Sequence, residues 1–159
     1  MRKIVAVLFS LVLVLGFVAA QEKMSAEAQK AKDMVKAGLA FYKANGRDAA
    51  LAAFNDPKGK FRDGEYYLFV YDYSKDGTAV CMARGDGNAA MIGKDLWGAK
   101  DPDGKFFYQD FVKVAKASGS SWVDYKRTNP DTKKIENKSS YIERIPDTTL
   151  LVGCGFYKN

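Results

Sequence analysis

The stretch from Ser120 to Tyr157 constrains the fold more than any other part of the chain. It contains three strand-like runs. Trp122, Val123 and Tyr125 are the β-formers of the first, Tyr141, Ile142 and Ile145 of the second, and Leu150, Leu151, Val152 and Phe156 of the third. Asn129-Pro130-Asp131 and Pro146-Asp147 separate them as turns. Parallel neighbours would need a crossover of about a dozen residues or more, and neither gap has room for one, so the runs form an antiparallel meander. The third run is nearly all apolar, which predicts a place in the middle of the sheet with both faces covered.

The same reasoning extends upstream. Glu65 to Tyr73, EYYLFVYDY, reads as a strand, and Lys75-Asp76-Gly77 turns it into a hairpin partner, Thr78 to Ala83. Before it, Ala28, Ala31, Val35, Leu39 and Tyr42 recur at helical spacing, which predicts an amphipathic helix from Ser25 to about Lys43 that ends at Asn45-Gly46. A shorter helix, Asp48 to Phe54, follows and stops at Asn55-Asp56-Pro57, and a further helix spans about Phe106 to Ala117 before Gly119. No repeat, low-complexity tract or linker divides the chain.

The chain opens with Met1-Arg2-Lys3, an apolar run from Ile4 to about Val18, and Val18-Ala19-Ala20. These are the three parts of a secretory leader, residues 1–20, with cleavage after Ala20 and a single mature domain, 21–159. An uncleaved anchor is the alternative, although the run is short against the ~20 residues of a spanning helix. The mature chain is then periplasmic or secreted. Loss of Arg2 and Lys3 from 25 basic residues leaves 23 against 19 acidic ones. That excess is too modest and too evenly spread for a nucleic-acid partner, and it is compatible with an anionic ligand or membrane surface.

The chain has no histidine. That removes the commonest general base, the usual nucleophile triads and most transition-metal sites, so no catalytic residue, metal or cofactor is expected. A Ser-Lys mechanism is formally open, since Ser139 and Ser140 lie beside Lys138, but the Ser next to Lys138 points to the opposite face of a strand. Gly85-x-Gly87-x-x-Ala90 matches a dinucleotide fingerprint by letters, but that device needs a helix start inside a parallel βαβ unit, and Gly93 interrupts any helix here. Arg84-Gly85-Asp86 spells an integrin tripeptide by coincidence, and Asp101-x-Asp103-Gly104 reads as a turn rather than a calcium loop.

An ordered set of short motifs carries a family resemblance. Tyr67-x-Phe69-Val70-x-Asp72, Gly93-Lys94-Asp95-Leu96, Lys100-Asp101-x-x-Gly104, Trp122-Val123-x-Tyr125, Asn129-Pro130, Lys138-x-Ser140-Tyr141 and Leu150-Leu151-Val152-Gly153-x-Gly155-x-Tyr157 follow one another between Ala31 and Tyr157. In this order they resemble the single Cache domains of bacterial extracytoplasmic sensors. The resemblance implies an α+β, PAS-like fold, with a long amino-terminal helix packed on a five-stranded antiparallel sheet and a small-molecule pocket on the other side. In the implied strand order the strand of Tyr67 to Asp72 separates Cys81 from Cys154, about twice the ~4.8 Å strand spacing apart, which favours two buried thiols over a disulfide.

The pocket expected from the residues is aromatic with one or two cations, a lining that fixes a small carboxylate. If the first hairpin of the meander centres on Pro130 to Thr132, Tyr125 lies opposite or diagonal to Lys138 and shares a face with Arg127. A slip of one residue would turn Lys138 away, and both cations would then be solvated strand edges. Tyr67, Phe69, Trp97 and Tyr141 complete the set with Arg84. The resemblance adds weight to Lys138 and Tyr141. Two departures stand out: Arg84-Gly85 replaces the family's His-Pro, and Arg127 replaces a Trp. If these positions face the pocket, arginine there points to an acidic ligand; if they do not, the ligand is unrelated to those of relatives, or absent.

The reading is a non-catalytic, ligand-binding sensor domain, with acetate, propionate, pyruvate or lactate as the class the resemblance suggests. Membrane sensors of the family continue into a second span and a signalling module, whereas this sequence stops at Asn159. The expectation is that it hands its occupancy to a membrane-bound partner or acts as a soluble binding protein. The alternative is a scaffold that docks or homodimerises through its amino-terminal helix. A pocket filled by Trp97, Phe107 and Tyr108 would favour the scaffold, and an open cavity walled by Arg84 or Arg127 would favour binding.

Overall fold

Residues 24–158 are described by the computed structural model, and the expected leader lies outside them. The elements are α1 (Ala26–Asn55), β1 (Arg62–Asp63), β2 (Tyr66–Tyr67), β3 (Phe69–Asp72), β4 (Val80–Arg84), a single 3₁₀ turn at Ala89–Met91, α2 (Phe107–Ala117), β5 (Ser120–Thr128), β6 (Ile135–Arg144) and β7 (Leu150–Tyr157). β1 and β2 form a small ribbon, and the main five-stranded antiparallel sheet has the order β4-β3-β7-β6-β5.

Ser25 caps α1 by accepting a hydrogen bond from the Ala28 backbone N–H at 3.2 Å. Within the span of α1, Gly46 takes φ +81°, so the predicted break between two helices is present as a kink. A non-glycine residue would be strained there. Both helical segments pack on one face of the sheet through Ala31, Val35, Ala50 and Phe54, against Leu68, Val70, Val152 and Cys154. α2 covers the opposite face with Phe107, Tyr108, Phe111, Val112 and Ala115.

The alternation of the strands explains this two-sided core. Leu68 and Val70 point to α1, while Tyr67, Phe69 and Tyr71 point to α2. β7 is central, between β3 and β6, and six of its eight residues from Leu150 onward are buried without interruption. Strand β3 also separates Cys81 on β4 from Cys154 on β7, and both are buried free thiols. In the meander Tyr125 pairs directly with Lys138 and Arg127 with Glu136, so the register is the one that keeps Lys138 on the α2 face.

Among the described residues no helix is long and apolar enough to cross a membrane.

Candidate functional site

The α2 face is built from aromatic rings. Phe69 stacks on Phe111 at 5.5 Å and Phe107 on Tyr125 at 4.3 Å, while Tyr71 meets Tyr108 edge to face at 5.1 Å. Such pairs contribute about 0.5–1.5 kcal/mol each beyond their buried area. Together they close the interior almost completely: a void of about 10 Å³ remains between Tyr67, Phe69, Tyr71, Phe111 and Tyr125, room for roughly one water. Next to it opens a cleft of about 460 Å³, within the range of small-molecule sites, about 300–1,000 Å³. Tyr67, Arg84, Phe107 and Arg127 line both spaces.

Arg84 stands at the end of β4 and is 4% exposed. Its Nε donates to Asp86 Oδ1 at 3.0 Å and its Nη2 to Asp86 Oδ2. The backbone N–H of Asn88 also donates to Asp86 Oδ1, at 3.1 Å, which fixes the carboxylate in its turn. Burial opposes the charge of Arg84, and the hydrogen bonds it donates to the Asp86 carboxylate more than offset it, so the guanidinium stays charged. Its Nη1 is buried with no hydrogen-bond partner.

Arg127 projects from β5. Its Nη1 donates to Tyr108 Oη at 3.1 Å, and its guanidinium lies 6.0 Å from the Phe107 ring centroid. The cross-strand Glu136 does not neutralise it, because that carboxylate accepts from Asn129 Nδ2 and Thr132 Oγ1 instead. Among the described residues Arg127 makes no ion pair.

Lys138 lies deeper, 1% exposed, with its ammonium 4.6 Å from the Tyr67 ring centroid and 4.4 Å from that of Tyr157. Gly155 opposite makes room for it: a Cβ there would collide with Ser140 Oγ and come within 2.9 Å of Lys138 Cε. Burial holds the Lys138 pKa below the ordinary lysine value. Tyr125 hydrogen-bonds Ser140 Oγ at 3.0 Å, and burial pushes the Tyr67 phenol up to about 12. At neutral pH the Tyr67 and Tyr125 phenols are therefore neutral, beside the Arg84 and Arg127 guanidiniums.

Of the residues singled out in the sequence, Tyr67, Arg84 and Arg127 line the cleft, Phe69 and Tyr125 the inner void, and Lys138 lies against Tyr67. Tyr141 does not belong with them. It sits on the α1 face beside Trp122, with the Lys32 ammonium 5.5 Å from its ring centroid. Lys138 and Tyr141 are three apart in one strand, which places them on opposite faces. Trp97 is also outside the lining. Asp95 bridges to Val80 and accepts from the Ala79 and Trp97 backbone N–H groups, which carries this segment along the β4 edge and lays Trp97 on the flank of the aromatic cluster.

The sequence reading missed Asp86, whose spacing of two from Arg84 across a Gly was its available signal, and Lys100 at the rim. It treated Phe107 and Tyr108 as fillers. They do fill the interior, and Phe107 also walls the open cleft.

Comparison with known proteins agrees with this fold. The family model for Single Cache domain 2 matches residues 20–159. The chain belongs to that family. Among solved structures it is similar to a periplasmic sensor domain of a chemotaxis protein, at 27% identity over 82% of this chain and 90% of that one, with a TM-score of 0.62. It is also similar in fold to a Cache chemosensory domain described for its carboxylic acid recognition, at 21% identity over 82% and 88% of the two chains and a TM-score of 0.62. A methyl-accepting chemotaxis protein from Vibrio parahaemolyticus RIMD 2210633 matches at 17% identity over 81% and 86%, with a TM-score of 0.66. This Cache domain thus shares its fold with sensor domains of chemoreceptors.

Proposed function

We propose that this chain is an exported, non-catalytic sensor domain that binds a small organic acid in the cleft between Arg84 and Arg127. The observation that carries the reading is the pair of guanidiniums on the cleft wall with donors to spare: Arg127 has no carboxylate partner among the described residues, and Arg84 Nη1 has no acceptor. Guanidinium forks grip carboxylates bidentately, and the aromatic wall suits a short carbon chain. The ligand class is the one to which acetate, propionate, pyruvate and lactate belong. The solved Cache domain described for carboxylic acid recognition supports it, and the periplasmic setting of another relative supports export past a leader at residues 1–20. Occupancy would then be handed to a membrane-bound signalling partner.

A second reading, a scaffold that docks or dimerises through α1, draws on an apolar groove there lined by Met34, Ala37, Ala40, Phe41 and Phe61. A thermal-shift screen of small carboxylates separates the two. A ligand at about 100 times its Kd adds about 2.7 kcal/mol, which raises the midpoint by several degrees in a domain of this size. The expected result is a shift with at least one carboxylate that Arg127→Ala abolishes. No shift with any carboxylate would discard the binding reading in favour of the docking one.

A further inference from the structure

The cleft is over-supplied with positive charge. Arg84, Lys100, Lys126 and Arg127 line it, against the two carboxylates Asp86 and Asp101. Asp86 is committed to Arg84. Asp101 spends its oxygens on backbone N–H groups: Oδ1 accepts from Asp103 and Lys105, both at 2.9 Å, and Oδ2 from Lys126 at 3.0 Å. Lys126 has its own partner in Asp103, at 2.9 Å, and the Lys100 ammonium rests over the Phe106 ring. Among the described residues Arg127 remains without a counter-ion, and Arg84 Nη1 remains without an acceptor. One carboxylate on a ligand would meet one of these two positions and leave the other.

We propose that the cognate ligand carries two negative charges, a short dicarboxylate held by the Arg127 and Arg84 guanidiniums. The inference rests on the small-acid reading above and narrows it. One carboxylate takes the open face of Arg127. The second takes Arg84 Nη1, the buried donor that Asp86 leaves free. Pairing Arg84 with Asp86 keeps its fork oriented without neutralising the cleft.

The test is calorimetric titration of the protein near neutral pH and at low salt with succinate, with succinamate, which has the same length and one charge, and with butyrate. Succinate is expected to bind about tenfold or more tighter than succinamate, as a second charge-assisted contact implies. Arg127→Gln should shrink that ratio towards one, and Arg127→Lys, which keeps the charge, should preserve more of it. The wild-type comparison stands even if either variant misfolds. Succinamate or butyrate binding as tightly as succinate would overturn the dianion inference and leave the small-acid reading intact. Absence of binding by malonate, succinate, glutarate and the monoacids alike would overturn both.

Discussion

At the scale of single residues the cleft depends on Arg84 and Asp86. Burial pushes the Asp86 pKa up, and the hydrogen bonds and charge of Arg84, with the Asn88 N–H, pull it further down, so it rests below the ordinary aspartate value. A carboxylate depressed in the native state contributes stability that is full above its unfolded pKa, about 3.9, and lost as the pH falls through the native value. Asp86→Asn should cost about 3 kcal/mol at neutral pH, near the low end for breaking a buried pair, because the Asp86 side chain is still 12% exposed. Urea titrations read this as a lower midpoint at unchanged m-value. Below about pH 4 the variant should lose less of its remaining stability than the wild type. Equal midpoints, or parallel acid profiles, would show that the pair contributes nothing.

At the scale of elements, the end of α1 is joined to the edge strand that carries Arg84. Asn55, the last residue of α1, donates from Nδ2 to the Met82 carbonyl at 3.3 Å, and its Oδ1 accepts from the Arg84 backbone N–H at 2.9 Å. The amide thus satisfies backbone groups that an edge strand would otherwise leave unpaired. Asn55→Ala should cost about 1–3 kcal/mol by stranding them. Hydrogen exchange should show faster local opening at the Arg84 amide, while amides in β7 keep their protection. Uniform acceleration across the sheet would show that the contact supports only global stability. The helix break, the three meander strands and their pairing were legible beforehand, because Gly46, Pro130 and Pro146 stand at positions where backbone sterics leave few choices. The partnership of Asn55 with β4 was not, since nothing in a helix-ending Asn states which strand will lie beside it.

For the whole molecule, a sheet covered on both faces keeps both thiols away from solvent. Burial pushes the Cys81 thiol up to about 11 and the Cys154 thiol up to about 12, so neither presents a reactive thiolate. A thiol reagent should label the native protein only as fast as it unfolds and should find both cysteines in denaturant, and added reductant should leave the melting midpoint unchanged. A lowered midpoint on reduction, with no label taken up in denaturant beforehand, would establish a disulfide instead.

Local chemistry alone was enough to set the antiparallel meander, its central apolar strand, the helix boundaries and the absence of histidine chemistry, because turn residues, periodicity and composition act over a few neighbouring residues. It was enough, too, for Tyr125, Arg127 and Lys138 to share a face once the hairpin centre was known. Period-two alternation could already have excluded Tyr141 from that face. Tertiary structure decided the rest. Whether the aromatic interior is open or filled depends on how α2 seats its rings against β3 and β5, and which cation keeps a counter-ion depends on where Asp86, Asp101 and Glu136 spend their oxygens. The seating of α2 joins distant segments, and even near neighbours such as Arg84 and Asp86 are paired by packing and by competition for acceptors rather than by local sequence preference alone.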